Sequence, residues 1–223
     1  MFCKTVADFG VGMVTVGGIS VDAATQEQSA AMARRGRSEF LFDDCGAFIR
    51  DALDVLDGCG ARVAVNIRSA TLEGYVGAAE RVDECGGIVE IDAHCRQPEM
   101  LQVGAGQALL SRPERIREIL EALSVERSIP TILKVRGNVL PGTVLADIAE
   151  DCCTALHVDA MLEGRDTFDP SVFLDIPDGM FLIGNNSVRD VASAEAILEY
   201  CDAFSFARLA NDLAATRDLV SHF

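Results

Sequence analysis

Apolar residues alternate along this chain between short, near-continuous runs and longer stretches in which every third or fourth position is apolar. The short runs are Met13–Val16, Val63–Ile67, Ile88–Ile91, Thr131–Val135, Ala155–Val158, Phe181–Ile183 and Ala203–Phe206. Rich in Val, Ile, Leu or Phe, they predict parallel strands covered on both faces. The longer stretches predict helices. Phe48, Ile49, Leu53 and Leu56 share one face of 48–56, and Ile116, Ile119, Leu120 and Leu123 share one face of 115–123. Residues 190–200 and 211–220 follow the same spacing. Glycines at Gly58, Gly60, Gly86 and Gly87 mark helix ends that lead back into strands.

Seven strands alternating with helices predict a parallel α/β fold. No repeat, low-complexity tract or linker divides residues 1–223, so one domain is expected. An open doubly wound sheet accommodates seven strands, whereas a closed barrel uses eight. The N-terminal "FCKTVADFG" reads as a helix ahead of the first recognisable strand. Since an α/β barrel ordinarily begins with a strand, the pattern favours a TIM (β/α)8-type barrel whose first strand is missing from this chain. Edges left open in that way call for cover by another segment or by a second copy in a homo-oligomer.

Composition narrows the chemistry. A formal charge of −16, with nineteen basic residues against thirty-five acidic ones, repels phosphate backbones at a distance. Any nucleic-acid contact would need a local basic patch. No apolar run approaches the ~20 residues of a membrane span, and the N-terminus lacks the pattern of a signal peptide. A cytoplasmic location is therefore expected, and the eight cysteines read as reduced thiols. None forms a CxxC pair, and the three histidines lack ligand spacing, so no metal is expected.

In either parallel architecture, function lies just beyond the C-terminal ends of the strands. Those positions hold Gly17-Gly18, Asn66, Arg68, Asp92, His94, Cys95, Lys134, His157, Asp159, Gly184-Asn185-Asn186 and Arg208. Each has a plain structural reading as well: Lys134 as a snorkelling lysine, His157 bound to backbone, Cys95 as an inert thiol, and Arg208 paired with Asp212. As a set they converge on one rim, with two histidines, a lysine and a cysteine together.

The stretch from Asp92 to Pro113, "DAHCRQPEMLQVGAGQALLSRP", resembles the N-x-G-C-P strand end and the G-x-G-x-A-L-L loop of tRNA-dihydrouridine synthases. "PTILKVRGN" is similar to that family's V-T-V-K-x-R strand, and "ALHVD", "FLIGNNSV" and "FSFAR" are similar to its later strand ends. The resemblance implies an FMN-binding barrel in which reduced flavin, supplied by NADPH or NADH, passes hydride to C6 of a uracil ring. It implies Cys95 as the general acid at C5. Asn66, Lys134, His157, Gly184, Asn185 and Arg208 would contact the cofactor, and Asp92, His94 and Arg96 would shape the substrate loop. A tRNA uridine or a free pyrimidine is the implied substrate; a barrel that has lost its cofactor is the alternative. The sequence departs from the family at Asp92 (asparagine there), His94 (glycine), Arg96 (proline), Asn66 (glutamine) and Ala207 (glycine). The family's C-terminal helical tRNA-gripping domain has no counterpart in "DLVSHF", where a barrel-only chain is expected to end.

Overall fold

A computed structural model describes residues 2–162, 165, 167–185 and 188–223, apart from the side chain of Phe40. Asn186, read above as part of a rim loop, lies outside the described residues. Seven strands are present among them: β1 Met13–Ser20, β2 Arg62–Arg68, β3 Ile88–Ala93, β4 Thr131–Arg136, β5 Ala155–Asp159, β6 Leu182–Asn185 and β7 Ala203–Ser205. All pair in parallel and in chain order, β1 to β7, which is the topology of a barrel rather than of a doubly wound sheet. β1 and β7 pair on one side only, one strand short of a closed eight.

The helices are α1 Phe2–Ala7, α2 Ala23–Arg34, α3 Cys45–Leu56, α4 Leu72–Glu84, α5 Pro98–Gln102, α6 Pro113–Leu120, α7 Gly142–Ala149, α8 Ser171–Leu174, α9 Val191–Leu198 and α10 Leu213–Val220. α1 precedes β1, as the sequence predicts, and packs against α10 as well as β1. The Arg217 guanidinium stacks over the Phe9 ring at 4.9 Å, tying α10 to the turn that follows α1.

Strand periodicity divides the sheet into two faces. Val65, Ile67, Val89, Ile91, Leu133, Val135, Leu156 and Val158 face outward into the main core, against Ile49 and Leu53 of α3, Val82 of α4, Ile116 and Ile119 of α6, and Leu145 of α7. On the other face, Ala64, Ile88, Ile132, Ala155 and Ile183 form a separate apolar floor, with Met13 and Ala203 against it. This floor takes one residue from each of the seven strands. Two residues further along six of those strands stand Asn66, Glu90, Lys134, His157, Asn185 and Ser205. The barrel interior is thus apolar below and polar above.

Several boundaries differ from expectation for identifiable reasons. β1 runs on through Gly17-Gly18 to Ser20, with a register shift between Gly17 and Ile19. β6 begins at Leu182 and reaches Asn185, leaving Phe181 exposed. α2 and α4 lack a broad apolar stripe. The first buries Thr25, Ser29 and Met32, the second Tyr75, Ala78, Ala79 and Val82. α2 is started by a reciprocal capping box between Asp22 and Thr25.

Candidate functional site

The polar layer is built around one carboxylate. Glu90 on β3 has no solvent exposure. Its Oε1 accepts a hydrogen bond from Asn66 Nδ2 at 2.7 Å, across the β2–β3 register that pairs these residues. His157 Nδ1 stands 2.6 Å from its Oε2, and the Lys134 ammonium 3.7 Å from its Oε1. Three side chains expected at a cofactor therefore converge on a fourth that lies hidden inside "GIVEID". Beyond it, His157 Nε2 is 2.7 Å from Ser205 Oγ, which is 3.0 Å from Asn185 Oδ1. His157 bonds to side chains here, not to backbone.

Lys134 differs from its neighbours. At 3.7 Å its pairing with Glu90 is electrostatic, too long for a hydrogen bond, and its side chain keeps 17% exposure. An ammonium carries three donors, and none makes a hydrogen bond among the described residues. The layer thus holds a cation fixed in place with its donors unspent.

Two ion pairs form the next tier. Arg68, only 1% exposed, gives Nη2 to the Gly18 carbonyl at 2.8 Å and Nη1 to Cys95 Sγ at 3.1 Å, and approaches Asp92 Oδ2 at 3.6 Å. Asp92 Oδ1 accepts from the backbone N–H groups of His94 (3.0 Å) and Cys95 (2.9 Å), so the turn after β3 is pinned by the carboxylate of the strand's penultimate residue. Asp159, at the end of β5, accepts from Arg136 Nη1 at 2.9 Å and from Met161 N–H at 3.0 Å, with His94 Nε2 at 2.5 Å.

Cys95 is 8% exposed, packed between Met32 of α2 and Met100 of α5. Burial pushes its thiol up and Asp92 adds to this, with Arg68 opposing, so the thiol stays protonated at neutral pH. Gly106, at φ +60°, explains half of the G-x-G signal. Its α-carbon lies so near the Cys95 backbone that a β-carbon would come within 2.5 Å of Cys95 O, while Gln107 N–H donates to that oxygen at 2.9 Å.

Other expected site residues sit apart from the layer. Gly184 faces outward, where a β-carbon would meet Ile197 Cγ2 at 2.3 Å and Cys201 Sγ at 3.0 Å. Its role in this fold is close helix–strand packing. Gly184→Ala is expected to cost about 1–3 kcal/mol by overpacking against α9, read from denaturant midpoints; an unchanged midpoint would refute the tight contact. Arg208 is exposed on the loop after β7, Arg96 is exposed after Cys95, and Asp212 caps α10 through the N–H groups of Ala214 and Ala215.

The electrostatics give the site a pH signature. Burial opposes the charged form of Glu90, but Lys134, His157 and the hydrogen bonds outweigh it and hold the carboxyl at about 2, down from 4.5. Burial likewise opposes Asp159, and His94, the Met161 N–H and Arg136 bring it from 3.8 to about 2. Burial pushes His157 below its ordinary value. In each case the unfolded chain binds the proton first as pH falls. Stability from the two carboxylates is therefore complete above about pH 5 and lost as pH drops from 4 towards 2. His157 adds a loss of the same sign, beginning below about pH 6.5. Thermal midpoints should fall steadily on acidification below about pH 6; a flat profile to pH 3 would contradict this assignment.

Among the described residues, no group of three His, Cys, Asp or Glu side chains could hold a metal, and no helix is long and apolar enough to cross a membrane.

No family model matches the chain. tRNA-dihydrouridine synthase B of Shewanella oneidensis is 26% identical over 148 residues, 61% of this chain and 46% of that protein. The Serratia marcescens enzyme of the same name is 27% identical over 153 residues, again 46% of its length. The chain thus spans about half the length of these synthases. Among solved structures, morphinone reductase in complex with tetrahydroNAD superimposes with a TM-score of 0.60 at 13% identity, over 92% of this chain and 77% of that one. DHODH from Eimeria tenella gives 0.61 at 11% identity, over 82% and 65%. At such identities these likenesses speak for the TIM-barrel fold alone. The uncharacterized protein MJ0144 of Methanocaldococcus jannaschii is 30% identical over 215 residues, 93% of this chain and 83% of that protein. The chain belongs to the family of MJ0144 and has distant sequence similarity to tRNA-dihydrouridine synthase B.

Proposed function

We propose that the protein is a flavin-dependent oxidoreductase that reduces the C5–C6 bond of a uracil ring. The observation that carries the reading is Lys134: a fixed ammonium with unspent donors, partly open to solvent, at the mouth end of a polar layer. Such a group fits the acceptor-rich edge of an isoalloxazine ring. Asn66 and His157 stand beside it through Glu90, Asn185 ends the row through Ser205, and Arg208 lies on the rim loop where an anionic phosphate would be met. FMN, when bound, supplies the hydride.

The remaining work falls to the chain itself. Lys134 would hold a flavin by its acceptor-rich edge and would offset negative charge there. Hydride arrival at C6 leaves enolate-like charge on the pyrimidine, and the Cys95 thiol gives its proton to C5 as that charge forms. The resulting thiolate is stabilised by Arg68, which already donates to Sγ, and is reprotonated from solvent. Met32 and Met100 cover the thiol and must part to admit the ring.

Anaerobic re-oxidation of the reduced flavoprotein tests this reaction. Uracil, uridine and unmodified tRNA are added in parallel, and the returning visible flavin band is followed. One of them should restore the band and yield a dihydropyrimidine; no re-oxidation by any of the three would overturn the reading.

A further inference from the structure

Glu90 occupies a position that strand patterning reads as plain core, yet every polar group of the middle layer is referred to it. Its carboxylate can only accept hydrogen bonds. His157 Nδ1, at 2.6 Å, must therefore carry a hydrogen. A neutral imidazole with Nδ1–H has a bare Nε2, which must accept, and the group facing Nε2 is the Ser205 hydroxyl at 2.7 Å. That hydroxyl has one hydrogen. The structure sets Asn185 Oδ1 3.0 Å from Ser205 Oγ, and one hydroxyl hydrogen cannot serve both that oxygen and a bare Nε2. With the hydrogen given to Nε2, the Asn185 amide must turn its nitrogen to Ser205, which frees its oxygen. An imidazolium would reverse the last two links, with Nε2–H given to Ser205 and Ser205 donating to the Asn185 oxygen.

We propose that Glu90 is a positioning residue that sets the direction of this row, holding His157 as the Nδ1–H tautomer so that the mouth end of β6 presents a carbonyl acceptor. The row extends over four strands, from β3 through β5 and β7 to β6, and its polarity is decided at the buried end. The partners of Glu90 are distributed to suit: Lys134 and Asn66 both address Oε1, and His157 alone addresses Oε2. A ligand above the layer therefore meets an acceptor at Asn185 and must bring an N–H or O–H donor to it. This ordering does not depend on which cofactor the barrel binds.

The test uses the full chain without ligand, labelled with 15N-histidine. Long-range proton–nitrogen correlation spectra distinguish the two neutral tautomers and the imidazolium, and signals are assigned by removing His94 and His222 one at a time. At neutral pH the wild type should show His157 with Nδ1 protonated and Nε2 bare; the opposite tautomer or an imidazolium would overturn the proposal. In Glu90→Gln, Lys134 and Asn66 keep the amide oxygen on their side and the NH2 faces Nδ1, so the tautomer should invert to Nε2–H. An unchanged tautomer there would deny Glu90 its role. Ser205→Ala removes the next link without touching the carboxylate and provides the readout if Glu90→Gln fails to fold. His157 should keep Nδ1–H in Ser205→Ala, and loss of that tautomer would assign control to Ser205 instead. Glu90→Asp should retain the wild-type tautomer, which a mere loss of packing would not predict.

Discussion

Glu90→Ala is expected to cost about 3–5 kcal/mol of folding stability, the range found when one partner of a buried charged network is removed. The variant leaves a Lys134 ammonium with no counter-charge within the layer, a His157 Nδ1–H with no acceptor and an Asn66 amide with one fewer partner. It also opens a cavity between the apolar floor and the rim pairs. Domains of this kind are held by roughly 5–15 kcal/mol, so the loss is a large share of the total. Urea unfolding of wild type and variant measures it directly. A change below about 1 kcal/mol would mean that water reaches the layer and replaces the carboxylate, contrary to the burial described.

Cys95→Ala addresses chemistry rather than stability. Removing a positioned general acid ordinarily lowers the rate by about 10²–10⁴-fold, and the same loss is expected in re-oxidation of the reduced flavoprotein by its pyrimidine. Flavin content should not change, because Cys95 lies beneath α2 and α5, on Arg68 and not on the Lys134 layer. The split between lost turnover and retained flavin separates an acid from a structural thiol. Equal rates in the variant would remove Cys95 from the mechanism and leave the His94–Asp159 pair as the next proton carrier to examine.

The barrel is legible in the sequence because its outward strand faces and helix stripes are apolar at the periods of regular structure, and because α1 precedes β1. Strand ends were equally legible: Asn66, Lys134, His157 and Asn185 do share one layer. Glu90 escaped because a single acid within "GIVEID" is outvoted by its apolar neighbours. Its signal was a charge inside a run otherwise fit for burial on both faces. Ser205 was hidden by its commonness. The partners Arg68, Arg136 and Asp159 could be placed at strand ends, but which carboxylate each arginine meets depends on register between non-adjacent stretches of chain. The close packing at Gly184 was hidden for a related reason. Sequence shows a glycine at a strand end, whereas only the register shows that it faces α9 rather than the barrel mouth.

One measurement bears most directly on the account: the visible absorbance spectrum of the purified protein after incubation with FMN and removal of the excess. A flavin spectrum retained at about one equivalent per chain, and lost in Lys134→Ala, is the predicted result. A colourless wild-type protein, or equal retention in Lys134→Ala, would contradict the claim that this polar layer is a flavin site.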